Sequence, residues 1–181
     1  RVVNKLTPFY KNQRPDSSVS QYGDIGRIRF NTDENFEQTE HFIGDTISRE
    51  AYEAVKSYTN RYLECNEPLF QSRIDEGRIV DGHGDLHLEH IHVSPDSVCI
   101  YDCIEFSDRL RCGDLAADLA FLAMDLDYNN CWEESRYFIE TMSKKLNDPN
   151  LKTIIDFYKC YRAYVKGKVK SMKAQIGRAH V

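Results

Sequence analysis

The chain has 181 residues, of which 41% are hydrophobic and 12% aromatic, enough for one sizeable core and for no more than one compact unit. A formal net charge of -5 argues against a nucleic-acid surface, because duplex affinity rests on phosphate neutralisation by lysine and arginine, and no apolar run is long enough to span a bilayer. Six cysteines (65, 99, 103, 112, 131 and 160) include no Cys-x-x-Cys pair, and no secretory leader is read ahead of them, so the expected setting is a reducing cytoplasm.

In chain order, Arg1-Val-Val-Asn-Lys-Leu is helix-compatible and lacks an initiator methionine, as though the sequence starts partway through something larger. Residues 12–31 are polar and interrupted by Pro15, Gly23 and Gly26, which predicts a connector with an extended piece over residues 27–30. Asn31, Thr32 and Asp33 offer cap oxygens for a helix that begins at Glu34-Asn35-Phe36. Ser48 caps a second helix to Cys65, with Ala51, Val55, Tyr58 and Tyr62 on one face, and Pro68 opens a third that ends at Gly77.

The stretch over residues 81–106 holds four of the six histidines and several carboxylates among β-branched and turn-forming residues, a crowding of ionisable groups that is costly unless a ligand offsets it. His83-Gly84 breaks regular structure, while Ile91, Val93, Val98, Ile100 and Ile104 flank the turn Pro95-Asp96-Ser97, so a loop feeding a β-hairpin is expected. Asp85 then sits before the hairpin, His90 at the start of its first strand and Asp102 at the end of its return strand. Antiparallel pairing brings both acids to one end, an arrangement suited to a cation and phosphate.

Residues 107–113 read as a loop carrying Arg109 and Arg111, available either for an anion or for pairing with Asp108 or Asp114. From Asp114 to Leu126 small and large apolar residues recur on more than one face, which predicts a buried helix in which Asp118 needs partners. Two further helices over residues 131–146 and 151–175 follow, separated by Asp148-Pro149-Asn150, and the basic run over residues 166–173 reads as a solvated face. Ile176-Gly-Arg-Ala-His-Val181 matches the translation of a sequencing adapter and is expected to be a tail outside the domain, which is placed at residues 1–175.

HGDLHLEHI, then YDCIEF, then GDLAADLAFLAMDLD, with flanking agreement from about Tyr22-Gly23 to residues 157–169, resembles the aminoglycoside phosphotransferase-like family of protein-kinase-like enzymes. The branch resembled is bacterial and sometimes fused to a P-loop kinase domain. The resemblance implies an α+β, mainly helical fold, the large C-terminal lobe with its catalytic-loop β-hairpin. It also implies transfer of the ATP γ-phosphoryl group to a hydroxyl of a small molecule. Asp85 would be the catalytic base, His83 an anchor of the loop, and Asp102 a ligand of Mg²⁺. Glu105 and Arg109 would serve the cofactor, Asp118 would hydrogen-bond the catalytic loop, and Glu34, Asn35 and Phe36 would either line the acceptor cleft or form a packed helix start. His90 stands where such enzymes place asparagine, which opens a single-cation site, a Mn²⁺ preference or a supporting hydrogen bond to Asp85. Neither G-x-G-x-x-G nor G-x-x-x-x-G-K-[ST] occurs, so the small N-terminal lobe is expected to lie outside this chain.

Two other readings of the same residues stand beside it. His83, Asp85, His87 and His90 contain enough donors for a metal-dependent hydrolase, although HGDLH is not HExxH. A non-catalytic nucleotide-binding scaffold is the other.

Overall fold

The computed structural model describes residues 1–13 and 16–179; His180 and Val181, the end of the expected tail, lie outside the described residues, as does Pro15 of the expected connector. Helix α1 (Val2–Lys11) buries Val3, Leu6 and Tyr10, one stripe at helical spacing, and packs against α8 (Trp132–Lys145). A short helix α2 (Ser17–Ser20) is capped by Asp16.

Helix α3 (Ile25–Thr39) corrects the expected connector and helix start. Asp24 is its cap, accepting from the backbone N–H of Gly26 at 2.9 Å and of Arg27 at 3.3 Å, so residues 27–30 are helical and not extended. An aspartate cap is worth about 1 kcal/mol, which offsets a glycine in the first turn. Helix α4 (Arg49–Cys65) is capped by Ser48 as expected, but its buried stripe is Tyr52, Thr59 and Leu63, one position round from the predicted face; Ala51 is exposed. Helix α5 (Glu67–Asp75) follows with Pro68 in its first turn.

Strand β1 (Ile79–Asp81) pairs antiparallel with β4 (Cys112–Asp114), Ile79 opposite Asp114 and Asp81 opposite Cys112. The expected hairpin forms between β2 (Ile91–Val93) and β3 (Val98–Ile100) as a separate two-stranded sheet. The predicted loop over residues 107–113 is instead the short helix α6 (Asp108–Arg111) running into β4, because β1 needs a partner and residues 112–114 supply it.

Helix α7 (Leu115–Tyr128) is the buried spine that the apolar pattern predicts: every residue from Leu115 to Met124 is buried except Ala117. It lies along α9 (Leu151–Ala179) and α8, and side chains such as Leu119, Met142 and Ile154 are fully enclosed, each contributing about 1.5–3 kcal/mol by leaving water. The helix α9 continues past Gln175 into the predicted tail. The fold is α+β and mainly helical. Among the described residues no helix is long and apolar enough to cross a membrane.

One polar device sits inside this core. Arg73 of α5 is fully buried and makes paired hydrogen bonds to Asp114 at 2.7 and 2.8 Å and to Asp148 at 2.6 and 2.7 Å. Burial works against the guanidinium charge, but the carboxylates of Asp114 and Asp148 outweigh it and hold the Arg73 pKa above its ordinary value. The triad fastens the β1–β4 ribbon to the turn between α8 and α9.

Candidate functional site

The loop over residues 82–90 hangs from α7. Asp118 accepts from the backbone N–H of His83 at 2.6 Å and of Gly84 at 2.9 Å, and the buried Tyr10 hydroxyl donates to it at 3.2 Å. Burial and the Asp118 charge push the Tyr10 phenol well above its usual pKa, so it remains a donor. Asp125 accepts from the N–H of Leu88 at 3.0 Å and pairs with Lys166. Two glycines make room: a Cβ on Gly82 would lie 2.3 Å from an Asp118 carboxylate oxygen, and Gly84 has φ +80° with Leu110 O 2.9 Å from where its Cβ would be.

His83 is 7% exposed. Its Nδ1 accepts from the Asp85 N–H at 3.3 Å, which leaves Nε2–H to donate to Tyr101 O at 2.9 Å, and the Ile104 N–H donates to its carbonyl at 3.0 Å. The ring thus locks the loop to the chain leaving the hairpin.

His90 lies in a 3-10 turn (Leu88–His90) ahead of β2, not in the strand itself. Its Nδ1 donates to Asp85 O at 2.9 Å and stands 3.6 Å from Asp85 Oδ2, while its Nε2 is 3.2 Å from Asp102 Oδ2. One imidazole therefore faces both carboxylates. Asp102 lies beyond the end of β3 at φ +62°, a left-handed conformation that aspartate tolerates better than most residues.

His87 is 9% exposed, with Nε2 at 3.4 Å from Asp85 Oδ2 and its Nδ1 buried without a hydrogen-bond partner among the described residues. Asp85, His87 and His90 each offer a donor atom within 4.8 Å of the others. The oxygens of Asp85 and Asp102 fit a hard cation such as Mg²⁺, whereas the two imidazoles fit Mn²⁺ or Zn²⁺ better.

Other expected residues take different places. Glu105 is exposed, and its backbone carbonyl is held by Arg111 at 3.4 Å. Arg109 pairs with Glu34 and lies over the Phe30 ring at 5.0 Å; Arg111 pairs with Asp81 and, at 2.9 Å, with Asp108. Asp114 belongs to Arg73, so neither loop arginine pairs with it. Glu34 and Asn35 line a cleft of about 190 Å³ that also takes in Asp85, Arg162 and Lys168. Phe36 does not: it is buried against Tyr52 and Tyr164.

The basic run on α9 departs from a solvated face. Lys166 reaches the buried Asp125, and Lys168 lines the cleft. The signal was available in the spacing of Tyr158, Arg162, Val165 and Lys168, which recur every three or four residues and lie on one side of the helix. Asp125, seven residues after Asp118 in an apolar helix, carried the same kind of signal.

No family model and no solved structure matches the chain. It is similar to uncharacterized proteins of Mycobacterium bovis and of two strains of Mycobacterium tuberculosis, 29% identical in each case over 177 residues. The match covers 98% of this chain and 36% of each relative, so the chain spans about a third of the length of the curated relatives it matches.

Proposed function

We propose that the chain is the large lobe of a protein-kinase-like phosphotransferase, of the aminoglycoside phosphotransferase-like kind, acting on a hydroxyl of a small molecule with ATP as co-substrate in the cytoplasm. The observation that carries this reading is the single imidazole of His90 facing Asp85 and Asp102, with Asp85 opening into an adjoining cleft. A Mg²⁺ or Mn²⁺ ion held by Asp102 and His90 would supply positive charge against the nucleotide phosphates.

Asp85 accepts the proton of the acceptor hydroxyl as that oxygen bonds to the γ-phosphorus; the bond to the bridging oxygen breaks, and ADP leaves with its electron pair. His83 keeps the Asp85 backbone in place through its ring. Arg109, closed onto Glu34, reaches the nucleotide only if that pair opens. A small lobe preceding the chain would grip the adenine and outer phosphates; a fused P-loop kinase domain is a feature of only some members of the branch resembled.

The grouping of Asp85, His87 and His90 favours a second reading, a metal-dependent hydrolase. Metal analysis of protein purified without added metal separates the two. Phosphotransfer predicts little retained metal and nucleotide binding that requires Mg²⁺ or Mn²⁺; one equivalent of firmly held zinc or iron with no nucleotide response would favour the hydrolase.

A further inference from the structure

The cations lining the cleft are unevenly paired. Arg109 is neutralised by Glu34 at the mouth, and Arg162 stacks over Phe121 at 5.0 Å with its Nη2 3.8 Å from Asp118. Among the described residues Lys168 Nζ donates to the amide oxygens of Asn35 at 2.6 Å and Gln38 at 2.8 Å, and no carboxylate of those residues lies within ion-pair distance of it. Partial burial lowers the Lys168 pKa; the Glu34 carboxylate works against that shift, and Arg109, less strongly, adds to it. A half-buried ammonium with neutral partners is an incomplete anion site, and the cleft's volume of about 190 Å³ falls below that of sites for drug-sized ligands.

We propose that the acceptor is a small polyol bearing a negative group, of monosaccharide size, with its anion on Lys168 and Arg162 and a hydroxyl directed toward Asp85. This rests on the phosphotransferase reading for the role of the hydroxyl; the anion preference itself does not need ATP. An amine-bearing acceptor would meet Lys168 and Arg162 as like charges.

The test is nucleotide-free titration of the chain, by ligand-observed NMR, with D-glucuronate, D-glucose and D-glucosamine, probes of similar size that differ in charge. The expected result is glucuronate tightest, by about tenfold over glucosamine, the worth of one charge-assisted contact. Lys168→Gln removes the preference and Lys168→Arg keeps it, with thermal melts confirming that both variants fold. Equal affinities, a preference for glucosamine, no detectable glucuronate binding, or a preference that survives Lys168→Gln would each overturn the proposal. An anion preference in a protein that never transfers phosphate would instead count against the phosphotransferase reading alone.

Discussion

Asp118 and Asp125 lie seven residues apart on α7 and hold the two ends of one loop, Asp118 through the N–H groups of His83 and Gly84 and Asp125 through that of Leu88. Both are buried, so the loop's backbone is fixed from beneath by the core helix while Asp85, at 35% side-chain exposure, is left facing the cleft. The expected consequence is that Asp118→Ala strands three buried donors, the N–H groups of His83 and Gly84 and the Tyr10 hydroxyl, at about 1–3 kcal/mol each, and frees the loop. Hydrogen exchange of the His83 and Gly84 amides should accelerate well ahead of that in α8; unchanged protection there would remove Asp118 from its anchoring role.

Arg73→Met should be among the most damaging single changes in the chain. It leaves Asp114 and Asp148 buried without their cation, at a cost of about 3–5 kcal/mol. Urea unfolding would measure it, and a loss below about 1 kcal/mol would mean that the triad contributes little beyond a hydrophobic substitute.

At Asp102 backbone and side chain can be separated. Alanine at φ +62° adds a left-handed cost of about 1–2 kcal/mol that glycine does not, so Asp102→Ala should be less stable than Asp102→Gly. Both should lose metal-dependent nucleotide binding, and more completely than His90→Ala does in Mg²⁺. Retained binding in Asp102→Gly would show that the carboxylate is not a ligand, and equal losses in Mg²⁺ would raise His90 to the same rank.

Much of this site was legible in the residues because the signals were local. His83, Asp85 and His90 fall within one short loop, the β-branched residues around Pro95 specify the hairpin, and the apolar run after Asp114 allows nothing but a buried helix. What was not legible was long-range pairing. Arg109 had near neighbours in sequence with which to pair, yet it reaches Glu34, seventy-five residues earlier, because α3 is two turns longer at its start than Gly23 and Gly26 suggested. Lys168 looked like part of a solvated charge run until α9 was placed against α3. Element boundaries erred where a cap competed with glycine, and site membership erred where a charge was settled by tertiary packing.

The central claim is that Asp85 is the base of a phosphoryl-transfer site. The most direct measurement is ADP release from ATP, with Mg²⁺ and an acceptor, by this chain joined to its natural upstream sequence, set against the same protein carrying Asp85→Asn. The account predicts turnover that falls by about 10²–10⁴-fold in the variant while nucleotide binding is kept, since an amide still hydrogen-bonds the hydroxyl but cannot take its proton. Turnover that is unchanged by the substitution would contradict it.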